Sequence, residues 1–356
     1  MTRFKVGAAA LGLMIGVLAA APASAWKRGP VQVLAVLPDL IGQLPGVKSS
    51  VEGLTVGPDG NIYVPTFGFN TTGGIGGNAV LFVISPNGKI VRQVIIANSS
   101  PHMLAVTGAL WVLDFGAGKV LNVDPAMGTS SVLAGPIPGS GLNALTFDKD
   151  GNGYVSDSFN GAIWKIGLHG GPTPTIPWKR DPLLGNGGGS LTPPFGANGV
   201  EFSNDGKSLF VANTAFHQII QIAVNTDRSA GTASIFISGI NAPDGIVIDR
   251  DDNIWICANQ EDEIVVVDKT GKVIAKLGDF RGIDPKGIVR GLLFPASLAF
   301  SKDGKTLYVS NLTLYLPYAD PNPGNLAIDS VWTLQVNGYT VSQLPAKIPP
   351  FPDQGD

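Results

Sequence analysis

The sequence predicts an all-β fold in which one β-hairpin motif is repeated around a ring. Each copy begins with an apolar strand, turns at a short segment that usually contains Asp-Gly, and returns as a second apolar strand. Asp and Gly favour tight hairpins because they tolerate a positive φ. The six copies begin at Glu52, His102, Asn143, Asn198, Asp244 and Ala296.

The spacing of the copies indicates how many strands each repeat contains. A period of about 50 residues is typical of repeat architectures, and two strands occupy only part of it. Most intervals contain a second pair of apolar segments, such as NAVLFVI followed by KIVRQVI. Four strands per repeat form the blade of a β-propeller, which leaves only short, protected sheet edges. The prediction is a six-bladed β-propeller of four-stranded antiparallel blades.

Residues 1–25 have the pattern of a secretory signal peptide. Arg3 and Lys5 precede an apolar stretch that ends at the small residues Ala23-Ser24-Ala25. We expect cleavage after Ala25, a periplasmic or secreted location, and a single propeller domain over 26–356. A membrane anchor is the alternative, but the apolar run is short, and no later stretch is long and apolar enough to span a membrane.

The two ends of the predicted domain are expected to share one blade. The segment 31–38 precedes the first hairpin, and the segments within 331–344 follow the last one. Their pairing would close the ring, although the sequence leaves open which end supplies the outermost strand. The Pro-rich tail 345–356 is expected to be extended or disordered.

Composition and motifs exclude several classes of function. The formal net charge is −3 and basic runs are absent, so nucleic acid is not an expected partner. Cys257 is the only cysteine, which rules out an intramolecular disulfide. The sequence lacks a Gly-rich phosphate loop, a Gly-x-Ser-x-Gly elbow and a His-Glu-x-x-His pair. Asp148–Gly153 begins like a calcium loop, but it lacks the closing Glu and is interpreted as a hairpin turn.

The residues that start the repeats are candidate ligands of a metal ion. In a propeller, these positions lie near the mouth of the central channel. Glu52 and Asp244 would supply carboxylates, and Asn143 and Asn198 would supply amide oxygens, a set that suits a hard cation such as Ca²⁺. The alternative is a wet channel in which these groups bond to water and to one another.

Two histidines are candidates for chemistry or binding. His102 begins the second repeat, and a neutral imidazole can accept a proton near pH 7, as a general base requires. The alternative for His102 is a hydrogen-bonded wall residue. His217 is expected in a loop on the face of the propeller that carries the channel mouth. There it would either contact the substrate or pack against the rest of the loop.

Long connections are expected on the face of the propeller that carries the channel mouth and the candidate ligands, and tight turns are expected on the opposite face. The long connections span 66–79, 179–197, 278–295 and 312–329, and the shorter loop at 214–217 is expected on the same face. Long loops over one face of a scaffold often carry function, and aromatic residues here would form an apolar wall around a small molecule. These residues are Phe67, Phe69, Phe195, Phe216, Phe294, Tyr315 and Tyr318. Phe67, Phe216 and Phe294 are, with His217, the candidate substrate contacts.

The motifs VEGLTV, LNALTFDKDG, ANGVEFSNDG and PDGIVIDRDD resemble those of the regucalcin/gluconolactonase (SMP-30) family and of the related paraoxonases and diisopropylfluorophosphatases. The resemblance implies a six-bladed propeller in which Glu52, Asn143, Asn198 and Asp244 bind a catalytic Ca²⁺, with Mg²⁺, Mn²⁺ or Zn²⁺ as alternatives. Pro101-His102 is similar to a paraoxonase motif whose His is implicated in lactone hydrolysis. The chain departs from these patterns at Met103 and Ala296.

These features predict an exported, metal-dependent hydrolase of small esters, with lactones as the expected substrates. The cation would polarise the carbonyl, while His102, Glu52 or Asp244 directs water as a catalytic residue. The alternative is a non-catalytic binding propeller that resembles NHL-type proteins, which the departures at Met103 and Ala296 favour. A lyase resembling the streptogramin-opening propellers is a further alternative, because the Asp-Gly-Asn-Ile-aromatic turn at 59–63 is similar. The sequence leaves the substrate and the oligomeric state open.

Overall fold

The computed structural model describes residues 29–38, 47–70, 79–96, 103–107, 110–189, 194–313 and 339–348. Within the strands, only the backbone is described for 47–50, 67–70, 103–107 and 339. The predicted signal peptide, His102, Tyr315 and Tyr318 lie outside these ranges. In the part of the chain that the structure covers, no helix is long and apolar enough to cross a membrane.

Six antiparallel sheets surround a central channel, which confirms the predicted six-bladed β-propeller. Blade 1 contains Val47–Val51, Thr55–Val56, Ile62–Asn70, Val80–Ile84 and Ile90–Ile95. Blade 2 contains Met103–Thr107, Trp111–Asp114, Lys119–Val123 and Ser130–Ala134. Blade 3 contains Leu142–Phe147, Gly153–Asp157, Ala162–Ile166 and Lys179–Arg180.

The remaining blades follow the same plan. Blade 4 contains Ala197–Phe202, Ser208–Asn213, Gln218–Val224 and Ala230–Ser238. Blade 5 contains Pro243–Ile248, Ile254–Ala258, Glu263–Val267 and Val273–Leu277. Blade 6 contains Pro295–Phe300, Thr306–Asn311, Tyr339–Pro345 and Gln32–Leu37. The strands of each blade pair antiparallel with their neighbours, so successive turns alternate between the two faces of the ring.

Blade 6 joins the two ends of the described chain, as the sequence predicts. Gln32–Leu37 pairs with Tyr339–Pro345, and Val36 lies opposite Thr340. The N-terminal strand is therefore the outermost strand of this blade, a choice that the sequence left open. At the start of the predicted tail, the backbone NH of Ala346 still bonds to the carbonyl of Lys305 at 3.0 Å.

The predicted long connections are partly regular structure. In 66–79, residues up to Asn70 continue the second strand of blade 1, because they pair with Val47–Val51. The segment 179–197 begins with the outermost strand of blade 3 and continues through the 3₁₀ turns Pro182–Leu184 and Gly187–Gly189. The segment 278–295 contains a two-stranded hairpin, Phe280–Ile283 with Val289–Gly291. A third 3₁₀ turn, Asn259–Glu261, follows the second strand of blade 5.

The hydrophobic core lies between the blades. Six apolar clusters can be assigned among the described residues, one between each pair of neighbouring blades. Phe82 of blade 1 shares a cluster with Leu37 of blade 6, and both are fully buried. Trp255 of blade 5 packs in the same way with Leu307 of blade 6. Burial of apolar area between blades therefore holds the ring together without a disulfide.

The turns on one face are held by Asp side chains. Asp148 Oδ1 accepts the backbone NH groups of Asp150 and Asn152, both at 2.9 Å. The side-chain amide of Asn152 also donates to Asp148, and Gly151 has a φ of 82°. These bonds satisfy the Asp148 carboxylate inside its own turn, so this segment is a hairpin turn, as the sequence analysis interpreted it.

Candidate metal centre at the channel mouth

Four predicted ligands and one apolar residue meet at one end of the channel. Glu52, Asn143, Asn198, Asp244 and Ala296 line a single cavity of about 120 Å³. The four polar side chains are buried, with exposed fractions between 4% and 9%. Five blades thus direct the starts of their inner strands to one place.

A β-bulge shapes the inner strand at Asn143, Asn198 and Asp244, and a register shift also leaves Ala296 between the paired residues Pro295 and Ser297. In blade 3, Leu142 pairs with Asp157, but the next paired residue is Leu145, opposite Val155. Asn143 therefore lies inside a bulge, which bends a strand and redirects its side chains. The same shift separates Ala197 from Val200 and Pro243 from Ile246, so Asn198 and Asp244 also lie inside bulges.

The amide of Asn143 is oriented by a hydroxyl relay. Its Nδ2 donates to Ser158 Oγ at 3.1 Å, and that hydroxyl donates to the carbonyl of Ala197 at 2.7 Å. Ser158 directly follows the second strand of blade 3, whereas Ala197 begins blade 4. Because the amide nitrogen is used in this way, the amide oxygen is the atom available to a ligand in the cavity.

The amide of Asn198 is held by the same device, one blade further on. Its Nδ2 donates to Thr214 Oγ1 at 3.0 Å, and Thr214 donates to the carbonyl of Pro243 at 2.7 Å. Thr214 follows the second strand of blade 4, and Pro243 begins blade 5. Each relay therefore orients a candidate ligand and links two blades at once.

Asp244 has an equivalent support from Asn259. The side-chain amide of Asn259 donates to Asp244 Oδ2 at 3.2 Å and to the carbonyl of Pro295 at 3.2 Å. Burial raises the pKa of Asp244 to about 8, although hydrogen bonds from Asn198 and Asn259 act in the opposite direction. In the absence of a cation, burial therefore favours the protonated form of Asp244 relative to an exposed Asp.

Glu52 lies in the same electrostatic environment. Burial, and then the negative charge of Asp244, raise its pKa well above the usual range of a carboxyl group. The backbone carbonyl of Glu52 accepts a hydrogen bond from Ser310 of blade 6, which fixes this part of blade 1. Two carboxyl groups that repel each other in a buried cavity favour an opposite charge between them.

The donor atoms present fit a hard cation. Among the described residues, His, Cys, Asp and Glu form no group of three that could hold a metal. A cation here would therefore depend on the two carboxylates together with the oxygens of Asn143 and Asn198. An all-oxygen set with room for water suits Ca²⁺ better than a metal that prefers nitrogen or sulfur.

A third carboxyl group, that of Glu201, which the sequence analysis did not single out, also lines the cavity. Glu201 Oε1 accepts the hydroxyl of Thr146 at 2.7 Å and the backbone NH of Phe202 at 3.1 Å. Burial raises its pKa, and these two bonds lower it. The carboxylate of Glu201 is thus bonded to Thr146 and Phe202, and it does not form a metal-binding group of three with Glu52 and Asp244.

In blade 6, the position equivalent to Asn143 and Asn198 is occupied by the apolar residue Ala296. Ala296 and Leu312 form a small buried cluster, and Leu312 occupies the place that Ser158 and Thr214 occupy in their blades. An amide with a supporting hydroxyl is thus replaced here by two hydrocarbon side chains.

Blade 2 shows a different register from the one that the sequence motif suggests. Met103 pairs with Asp114, as Leu142 pairs with Asp157. The position equivalent to Asn143 is therefore Leu104, and His102 precedes it by two residues. His102 itself lies outside the described residues, and its role as a general base stays a prediction.

His217 supports the loop that leads to Asp244. Its Nδ1 accepts the backbone NH of Ala242 at 2.9 Å, and its backbone carbonyl accepts the NH of Gly239 at 2.8 Å. Its φ of 57° places it in the left-handed region. Because Nδ1 is an acceptor, the neutral imidazole carries its proton on Nε2. Contact between this NH and a substrate stays a prediction.

The predicted aromatic contacts have different surroundings. Phe294 packs against Ala296 and Leu312, and its backbone NH donates to Asp262 Oδ1 at 2.8 Å. Phe216 is half-buried, and its backbone NH donates to Asn213 Oδ1 at 3.0 Å. Only the backbone of Phe67 is described. Of the two candidates whose side chains are described, Phe294 is the one that packs beside Ala296, which lines the cavity.

Sequence reasoning missed the residues that support the ring. Ser158, Thr214 and Asn259 each follow the second strand of their blade directly, in the segments YVSDS, FVANT and WICAN. A polar residue at the same place in three repeats was the available signal. Phe115 and Phe159, which also lie after second strands, were missed because they belong to short turns rather than to long loops.

Comparisons with known proteins agree with this architecture. Residues 194–278 match the family described as SMP-30/Gluconolactonase/LRE-like region. Lactonase drp35 of Staphylococcus saprophyticus is 26% identical over 180 residues, which cover 48% of this chain and 49% of that protein. Lactonase drp35 of Staphylococcus aureus is 30% identical over 86 residues, or 26% of its length. The matches thus span about a quarter to a half of these curated relatives.

Solved structures extend the similarity in fold to most of the chain. A calcium-binding regucalcin from Agrobacterium tumefaciens superimposes with a TM-score of 0.55 at 17% identity, covering 89% of this chain and 93% of that one. A gluconolactonase from Xanthomonas campestris gives a TM-score of 0.51 at 15% identity, covering 91% and 98%. The chain is therefore a six-bladed β-propeller that resembles the SMP-30/gluconolactonase-like proteins, as its ring motifs predict.

Proposed function

We propose that this protein is a metal-dependent hydrolase of small esters, with lactones as its substrates and the channel mouth as its active site. The observation that carries the proposal is the meeting of two buried carboxyl groups and two oriented amides in one cavity. The similarity of part of the chain to lactonases supports the same reaction class.

The residues of the ring fit the roles that this reaction requires. A divalent cation bound by Glu52, Asn143, Asn198 and Asp244, with Ca²⁺ as the best match, would polarise the ester carbonyl and stabilise the negative charge on its oxygen. Ser158 and Thr214 hold the two amides so that their oxygens are available. Because burial raises the pKa of Asp244, we expect cation binding to compete with protonation of this carboxyl group.

The hydrolytic step needs a group that moves one proton. Water forms a bond to the carbonyl carbon, the ring C–O bond breaks, and a proton passes from the water to the departing alkoxide. Glu52 or Asp244, once ionised, is positioned to accept that proton and return it, since both line the cavity. His102 is the further candidate for this transfer.

The test is turnover of a lactone panel before and after chelation, with Ca²⁺, Mg²⁺, Mn²⁺ or Zn²⁺ then added back. We expect activity to fall on chelation and to return best with Ca²⁺. Asp244→Asn should remove turnover, whereas Asp205→Asn, in an exposed turn, should not. Activity that survives chelation or Asp244→Asn would contradict the mechanism, and tight metal binding without turnover would favour a binding propeller.

We also propose that the protein acts after export, with residues 1–25 removed. The basic, apolar and small-residue order of this segment supports the proposal. N-terminal sequencing of the protein recovered from its native compartment should begin at Trp26. An intact Met1 on cytoplasmic protein would contradict it.

A further inference from the structure

We propose that the site selects lactones or esters that carry an apolar substituent, which binds along an aromatic arc formed by Phe115, Phe159, Phe195 and Phe294. This inference rests on the proposed function, because it concerns the substrate of the same site. It distinguishes an apolar lactone from a sugar lactone, whose hydroxyl groups would have to find partners at the mouth.

Three rings of the arc are in direct contact with one another at the channel mouth. The rings of Phe115 and Phe159 meet edge to face with centroids 5.5 Å apart. The rings of Phe159 and Phe195 stack at 6.0 Å with an interplanar angle of 21°. These distances lie in the range of favourable aromatic pairs, so the three rings form one surface from blade 2 to the approach to blade 4.

The arc reaches the cavity through blade 6. Phe115 and Phe294 both pack against the buried pair Ala296 and Leu312, although Phe115 belongs to blade 2. Ala296 lines the same cavity as the four polar ring residues. The apolar surface therefore begins beside the candidate metal centre and continues outward along the mouth.

Phe159 is exposed to solvent and is not part of the hydrophobic core. It is 43% exposed and belongs to none of the six interblade clusters among the described residues. It directly follows Ser158, the residue that orients Asn143, so it lies close in the chain to the support of a polar ring residue. An exposed aromatic surface at a concave polar site is typical of a ligand-binding wall.

The mouth presents a polar part, formed by the ring residues, and an apolar part, formed by the arc and blade 6. Carboxyl and amide groups come from blades 1, 3, 4 and 5, while the ring position of blade 6 is hydrocarbon. A lactone whose carbonyl lies at the polar ring residues can place an alkyl substituent on the arc. A polyhydroxylated ring would instead bury hydroxyl groups against phenylalanine, which is costly without hydrogen bonds.

The experiment measures binding and turnover separately on the calcium-loaded protein. Lactams serve as non-hydrolysable analogues, and calorimetry compares 2-piperidone with 6-pentyl-2-piperidone. In parallel, kcat/KM is measured for δ-valerolactone, δ-decanolactone and glucono-δ-lactone. Phe159→Ala tests the arc and Phe159→Leu tests rescue by another apolar side chain.

The control variant is Leu168→Ala. Leu168 has a similar exposed fraction, 45%, but lies against the Gly151 turn on the opposite face. Loss of an exposed apolar side chain there should leave ligand preference unchanged. An effect common to both variants would show general destabilisation instead of a role for the arc.

Burial of each methylene is worth about a fourfold change in affinity. We therefore expect the pentyl lactam to bind at least about 10-fold more tightly than 2-piperidone, even with partial burial. Phe159→Ala should remove most of this preference, and Phe159→Leu should retain part of it. δ-Decanolactone should have the highest kcat/KM of the three lactones.

The outcomes separate the two proposals. Equal affinities for the two lactams in the wild type, or an unchanged preference in Phe159→Ala, would overturn the role of the arc even if lactones were hydrolysed. Preferential binding of the pentyl lactam without turnover of any lactone would support the arc and overturn the hydrolase.

Discussion

The side-chain amide of Asn198 donates to Thr214 Oγ1 at 3.0 Å, and the same hydroxyl donates to the carbonyl of Pro243 at 2.7 Å. One hydroxyl thus orients a candidate metal ligand and binds the first residue of the next blade. Ser158 repeats this arrangement for Asn143 and Ala197. The geometry of the ring is therefore coupled to the way in which neighbouring blades meet.

Thr214→Val should weaken cation binding and lower the stability of the fold. The side chain keeps its shape, but the Asn198 amide and the Pro243 carbonyl lose a buried partner, at about 1–3 kcal/mol for an unsatisfied group. Calorimetric titration with Ca²⁺ and denaturant unfolding would measure the two effects. Thr214→Ser, which keeps the hydroxyl, is the matched control. Calcium affinity equal to that of the wild type in the Val variant would show that the relay does not orient the ligand.

The metal-free protein should lose stability as pH rises from about 5 to 8. The pKa of Asp244 is raised to about 8 in the folded state and that of Glu52 is also raised, so the folded protein holds protons that the unfolded chain has released. At pH values below the unfolded pKa, both states are protonated and this cost is absent. We expect a loss of at least about 1 kcal/mol, since one pKa unit corresponds to about 1.4 kcal/mol.

Denaturant unfolding at pH 5 and pH 8, with chelator and with saturating Ca²⁺, measures this dependence. Saturating Ca²⁺ should remove the loss, because it binds the ionised form. Asp205→Asn is the control, since the pKa of Asp205 is lowered, chiefly by the backbone NH of Lys207, and its contribution changes only at acid pH. A metal-free stability that rises from pH 5 to pH 8 would contradict the raised pKa values that burial gives Asp244 and Glu52.

Glu52→Gln should have opposite effects on the two forms of the protein. Without a cation, it removes one of two buried carboxyl groups that repel each other, so the free energy of unfolding at pH 8 should rise by about 1 kcal/mol or more. With Ca²⁺, it removes a charged ligand, and affinity should fall by about 10-fold or more. Thermal unfolding with and without Ca²⁺ detects the crossover. Parallel shifts of both forms would exclude Glu52 from the ligand set.

Gly199→Ala should destabilise the interface between blades 4 and 5. A Cβ atom at this position would lie 2.2 Å from the carbonyl oxygen of Asp244 and 2.7 Å from the backbone nitrogen of Ile246. The backbone of blade 5 would have to move, at a cost of about 1–3 kcal/mol, and Asp244 would move with it. Gly167→Ala, whose Cβ would meet only Gly170 O at 3.3 Å, is the control. Unfolding and calcium titration of both variants test the prediction, and equal behaviour would refute it.

The blades were predictable from sequence because their signals are local. Alternating apolar residues and Asp-Gly turns specify hairpins within about 15 residues, and the turn bonds of Asp148 and Asn152 form inside one such segment. The repeat of that pattern also identified Asn143, Asn198 and Asp244, which share a position at the start of an inner strand. No contact between distant residues had to be known for these inferences.

The tertiary structure decided what depends on contacts between segments far apart in the chain. Gln32–Leu37 is the outermost strand of blade 6 because it pairs with Tyr339–Pro345. The hydroxyl of Ser310 donates a hydrogen bond to the backbone carbonyl of Glu52. Phe115 met Leu312 across the mouth, although each follows an ordinary hairpin strand. Sequence periodicity determined the repeating strands and the polar ring, because local propensity encodes them. Only packing between blades determined which hydroxyl orients each amide and where the apolar surface lies, because those partners come together only when the ring closes.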